Sequence, residues 1–122
     1  MHELTIANSI VSTVMEEIDR RDLPPVERIV VRIGALSDVV PEALQFNFEV
    51  ITNDTVLANT ELEIEHVPLE GTCRMCHHDF AVDDFMFTCP SCHSTDIRVT
   101  QGEELDIAYL EVADGSDDER SA

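Results

Sequence analysis

The sequence contains no lysine. Its permanent cations are seven arginines, set against 26 acidic residues, for a formal net charge of −19 over 122 residues. A surface of that sign repels phosphate backbones, so nucleic acid is a poor partner. The acids are spread along the whole chain, which favours a general surface adaptation over a local cation trap. Apolar runs near the ~18 residues that a bilayer span requires are also missing, so no association with a membrane is expected. The chain does not open on a basic stretch followed by a long apolar one, so no signal peptide is expected and the cytoplasm is the expected setting. The length suits one small domain or two very small ones.

What is present divides into two textures. Residues 4–21 predict a helix, because Leu4, Ala7, Val11, Val14 and Ile18 recur at helical spacing with Ile10 and Met15 beside them. Pro24-Pro25 ends it. Residues 26–35 predict a strand with Ile29, Val31, Ile33 and Ala35 on one face and Arg28, Val30 and Arg32 on the other. Pro41 suits the first turn of a second helix over about 41–52, with Leu44, Phe48 and Ile51 in one row and Ala43, Phe46 and Val50 in the next. Two of the chain's five phenylalanines lie there, so this helix is expected to pack across the sheet. Residues 60–67 alternate again, and so do 104–112, which reads as a returning third strand. The fold class is therefore α+β: two helices on a three-stranded sheet, with a second module inserted between two strands of that sheet. The expected division is 1–69 with 102–112, an insert at 70–101, and a disordered acidic tail at 113–122.

The insert carries Cys73-x2-Cys76-x12-Cys89-x2-Cys92. Each CxxC turn sets two thiolates on one side of a knuckle, and two knuckles complete the tetrahedron that structural Zn²⁺ takes. Four cysteines leave no open coordination position, and a stretch this short has too little core to fold without a metal. Iron held by the same thiolates and a redox dithiol are rival readings. Iron leaves the first domain without a purpose, and a dithiol needs only one pair. His77, His78 and His93 flank the cysteines; the plain reading is exposed loop histidines, and the sharper one makes His78 or His93 an auxiliary metal ligand that makes the site sensitive to pH.

The chain begins Met1-His2-Glu3. The Met1 amine, the His2 amide nitrogen and the His2 imidazole Nδ1 are placed to form adjoining five- and six-membered chelate rings. Planar nitrogen coordination of that kind is the preference of Ni(II) or Cu(II), not zinc. Glu3 offers a fourth donor through its amide or its side chain. The competing reading is an ordinary frayed terminus, and a helix N-terminus disfavours a cation through its dipole.

Taken together, the terminal MHE, the amphipathic first helix, "VRIGALSDVVPEALQFNFEV", "ELEIEHV" and the inserted CxxC…CPSC ribbon resemble the nickel metallochaperones of [NiFe]-hydrogenase maturation, the HypA/HybF family. The resemblance covers about residues 1–112. It implies a small α+β nickel domain and a separate zinc ribbon, with nickel held through His2, the Met1 amine and Glu3, and zinc through Cys73, Cys76, Cys89 and Cys92. It implies a carrier rather than an enzyme, one that works with a nickel-insertion GTPase and delivers Ni(II) to the hydrogenase large subunit, some members also serving urease accessory proteins. A monomer or weak homodimer is expected, the returning strand being one that two copies can exchange. The alternative is a zinc-ribbon interaction module or nucleic-acid-binding adaptor, which predicts a basic ribbon. Arg74 is the single arginine between the outer cysteines.

Overall fold

The computed structural model describes residues 3–113. Met1 and His2, and the expected acidic tail beyond Ala113, lie outside the described residues. Helix α1 spans Glu3–Arg21 and buries Ile6, Ala7, Ile10 and Val14. That stripe is turned from the expected one: Ile6 replaces Leu4, which is exposed. The helix stops where Asp22 takes a left-handed φ of 52° and Leu23 N–H donates back to the Ile18 carbonyl at 3.2 Å. This is a glycine-type C-terminal cap made by an aspartate, a residue that tolerates the conformation, and Pro24 follows.

Strand β1 (Val26–Gly34) lies between β2 (Glu61–Val67) and β6 (Leu105–Val112) in a three-stranded sheet. The returning strand expected from residues 104–112 is thus β6. Ile29, Val30 and Val31 are buried in succession, so the middle of β1 is covered on both faces. Val30 was expected to face outward; it is fully buried because its neighbours close over that face. Arg28, two residues earlier on the same side, reaches Glu63 at 2.7 Å and Glu61 at 3.7 Å on β2 and Glu111 at 3.3 Å on β6. Its aliphatic stem adds cover while the guanidinium stays wet. The three carboxylates, Glu111 foremost, raise the arginine's own pKa.

Helix α2 (Pro41–Thr52) begins on proline, as expected, and packs against α1. Its buried row is Leu44, Phe48 and Thr52, spaced by four. Thr52 is tolerated there because its hydroxyl donates to the Phe48 carbonyl at 2.7 Å. Phe46 does not pack inward: it is 65% exposed. Thr60 ties the approach to β2 by donating to the Val26 carbonyl at 2.7 Å.

Between β2 and β6 the chain forms a second sheet, with β3 (Glu70–Cys73) flanked by β4 (Asp79–Ala81) and β5 (Ile97–Gln101), both antiparallel to it. The described residues fall into two compact units. One holds 3–31, 39–65 and 106–113; the other holds 32–38 and 66–105. The second unit therefore includes the end of β1 and the 3-10 turn Ala35–Ser37. Gly34 and Gly102 meet there. Leu36 N–H donates to the Gly102 carbonyl at 2.7 Å, and a methyl at Gly34 would sit 2.1 Å from that oxygen. Gly102 itself has φ 117°, a conformation open to glycine and costly for other residues. The architecture is α+β, as the patterning predicts. Among the described residues no helix is long and apolar enough to cross a membrane.

Candidate metal centre

The two CxxC segments close with the same pair of backbone hydrogen bonds. Cys73 N–H donates to the His78 carbonyl at 2.9 Å and His77 N–H to the Cys73 carbonyl at 2.8 Å. Sixteen residues on, Cys89 N–H donates to the Ser94 carbonyl at 2.9 Å and His93 N–H to the Cys89 carbonyl at 2.9 Å. The chain reverses at the same offset in each, with His77 at φ 63° and His93 at φ 65°. In both knuckles the first cysteine is fully buried and the second exposed.

This repeated turn points all four sulfurs at one place. They lie within 4.8 Å of one another, with Cys73–Cys92 and Cys76–Cys89 both at 3.5 Å. Tetrahedral zinc with bonds of about 2.3 Å needs sulfurs about 3.8 Å apart, so the cluster fits the ion with little adjustment. Backbone N–H groups aim at the sulfurs, from Cys76 to Cys73 at 3.5 Å and from Ser91 to Cys89 at 3.4 Å. Donors of this kind favour thiolate, the form that binds metal.

The thiols differ in acidity for that reason. The Cys76 N–H, helped by Met75 N–H and the neighbouring thiols, overcomes burial and holds Cys73 down to about 6. At Cys89 burial opposes, but the N–H groups of Cys92 and Ser91 prevail and the thiol is lowered. At Cys76 the His78 N–H pulls down, yet the Cys89 thiol, burial and the other cysteines push it up to about 12. Cys92 is likewise raised, the pull of Ser94 N–H being outweighed by the Cys73 thiol and burial. Each knuckle thus pairs a thiolate-prone buried cysteine with a proton-holding exposed one.

Among the described residues this is the one group of three or more metal-competent side chains, and it contains no histidine. His78 and His93 are exposed, and the His78 ring stacks on Phe80 with centroids 6.0 Å apart. The two residues that follow the CxxC pairs, His77 and His93, matter first as left-handed hinges of the knuckles. Their identical offset from Cys73 and Cys89 was the signal for this in the sequence.

At the other end of the chain, Glu3 opens α1 and its Oε2 accepts the Val40 N–H at 2.9 Å. Val40 is the residue before α2 and makes no side-chain cap of its own. A carboxylate from one helix thereby sits at the N-terminal end of another, where the dipole favours negative charge.

The family described as "Hydrogenase/urease nickel incorporation, metallochaperone, hypA" matches residues 1–112. The chain belongs to this family. It is a family of metallochaperones, not of enzymes. The hydrogenase maturation factor HypA of Acidithiobacillus ferrooxidans is 38% identical over 112 residues, which cover 92% of this chain and 99% of that protein. The corresponding factor of Geobacter metallireducens is 40% identical with the same coverage. The solution structure of the Ni metallochaperone HypA from Helicobacter pylori has a TM-score of 0.64 at 27% identity, covering 93% of this chain and all of that one. A second HypA solution structure has a TM-score of 0.70 at 28% identity, covering 93% of this chain and 97% of that one. The resemblance drawn from MHE and the paired CxxC motifs is therefore correct at the level of family and fold, and the four-cysteine cluster fits the structural zinc site expected of it.

Proposed function

We propose that this chain takes up Ni(II) at its N-terminus and hands it to the large subunit of a [NiFe]-hydrogenase during maturation. The observation that carries the reading is the family match over residues 1–112, the terminal tripeptide included. The segments 1–69 and 102–112 form the nickel-carrying domain and 70–101 the zinc ribbon. Nickel is bound by the Met1 amine, the His2 amide and the His2 Nδ1, a planar nitrogen set that suits this ion and not zinc. Glu3 completes the set. Its amide or its side chain supplies the fourth donor, the carboxylate also accepting the Val40 N–H.

Cys73, Cys76, Cys89 and Cys92 hold zinc, with a structural role because no coordination position stays open. His78 and His93 flank that site outside the four-cysteine set. A terminal site favours handover: it can be approached by an incoming ligand, and reprotonation of the His2 amide loosens the chelate one nitrogen at a time. A nickel-insertion GTPase works beside the carrier in the cytoplasm, and urease accessory proteins are further clients. The carrier acts as a monomer or weak homodimer.

The test is reconstitution. Nickel-free large-subunit precursor is incubated with the GTPase, limiting Ni(II) and either the parent chain or His2→Ala. Hydrogenase activity that depends on the parent and is lost with His2→Ala is the expected result; equal activation by both refutes the carrier role of His2.

A further inference from the structure

Helix α2 buries one face completely and leaves the opposite one open. Phe46 and Val50, four residues apart and adjacent on one ridge, are 65% and 55% exposed. Phe46 is thus a large aromatic side chain spent on solvent in a chain with five phenylalanines. The ridge is framed by Glu42 and Glu49, both exposed and spaced to lie along the same face. No ion pair among the described residues engages either carboxylate. No lysine or arginine occurs between Arg32 and Arg74, so nothing nearby in sequence offsets them.

An exposed apolar ridge with a one-signed rim selects its partner. A second copy of this chain brings the same acids to the contact and is repelled, as are nucleic acid and an anionic membrane. What fits is a protein surface with an apolar pocket for Phe46 and Val50, rimmed by lysine or arginine. The location narrows the choice further. α2 starts at Pro41, directly after Val40, whose N–H holds Glu3. At 1.5 Å per residue Phe46 is about 7.5 Å along the axis from that start. A protein seated on the ridge therefore lies within two helical turns of the end of α2 at which Val40 and Glu3 meet.

We infer that the Phe46–Val50 ridge, rimmed by Glu42 and Glu49, is the docking face for the protein that accepts nickel, which presents a basic-rimmed apolar pocket to it. The inference rests on the proposed nickel-carrying role. Docking puts the acceptor's ligands within reach of the terminus, so that exchange of donors proceeds inside one complex.

The test uses the full zinc-loaded chain and the nickel-free hydrogenase large-subunit precursor as probe, with affinity read by calorimetry at low and high salt. Phe46→Ser/Val50→Ser leaves Leu44 and Phe48 in place and is expected to weaken binding at least about tenfold, as loss of an aromatic anchor does. Glu42→Gln/Glu49→Gln is expected to weaken it by about two- to fivefold at low salt and to flatten the salt dependence. No binding by the parent, or equal binding by the serine variant, overturns the inference. So does a serine variant that loses affinity for the GTPase and not for the precursor. Nickel titration of the same samples keeps the two readings apart: a parent that binds no nickel at its terminus defeats the carrier role, while the affinities still judge the ridge.

Discussion

Removing zinc should dissolve one unit of the molecule and spare the other. The unit made of 32–38 and 66–105 buries Ile33, Leu69 and Val82 as its aliphatic side chains, beside Cys73 and Cys89. Burying each contributes about 1.5–3 kcal/mol, roughly 4.5–9 kcal/mol for the three. The apparent free energy with which a four-ligand structural zinc site binds and folds its peptide is about 10–16 kcal/mol. The metal outweighs this small core, so its loss should carry the unit to the unfolded side. The other unit keeps Ile29, Val30, Leu44, Phe48 and Leu57 buried whatever happens to the ribbon. The assay is amide hydrogen exchange by mass spectrometry before and after chelation, with zinc content measured on the same samples. The amides of Cys73, His77, Cys89 and His93, which close the two knuckles, should exchange at rates near those of an unstructured peptide. Peptides from α1 and α2 should keep their protection. A ribbon still protected after zinc is shown to be gone would refute this reasoning, and would mean that the two β-ladders of the insert suffice.

Three further outcomes follow from the geometry. Phe48→Ala should lower the unfolding free energy by about 3–5 kcal/mol in a denaturant titration, because the side chain is 1% exposed and its loss leaves a cavity. Gly34→Ala should destabilise the chain far more than a surface change, since the new methyl meets the Gly102 carbonyl; an unaltered melting temperature would contradict the close approach. Zinc release, followed with a chromogenic chelator, should speed up on acidification. Cys73 is lowered to about 6 in the folded ribbon, so its thiolate stabilises the fold at and above the ordinary thiol pKa of 9.0, and that contribution is lost as pH falls toward about 6; Cys89, also lowered, acts in the same direction. Cys76, raised to about 12, acts in the opposite direction and weakens the metal-free fold only as pH climbs above 9.0.

Much of this structure was legible because its signals are local. Pro41 marks the start of α2, Pro24-Pro25 the end of α1, and strict CxxC spacing sets the knuckles. The alternation of 104–112 announced β6 as the third strand. Other features depend on which side chain finds cover, and that is decided by neighbours distant in sequence. Val30 looks outward by alternation yet is buried, because β1 is the central strand and Arg28 spans to Glu63 and Glu111. Phe46 looks like a core residue by type yet is exposed, because it lies two residues, about 200° of helix rotation, from both Leu44 and Phe48, whose row faces inward. The Glu3–Val40 contact joins residues 37 apart, and no periodicity encodes it. Nor does any pattern announce that the end of β1 belongs with the ribbon; that follows from two glycines which let backbones touch.

The central claim is that MHE is a nickel clasp, and the most direct measurement is a Ni(II) titration of the untagged, zinc-loaded chain followed by absorption spectroscopy. It is run beside His2→Ala and beside a chain whose Met1 amine is acetylated. The account predicts one nickel per parent chain with the visible absorption of a planar nitrogen site. It predicts loss of that signal in both variants, with zinc content unchanged, because one removes the imidazole and the other blocks the amine. Equal binding by all three would contradict the account and leave His2 as an ordinary terminal residue.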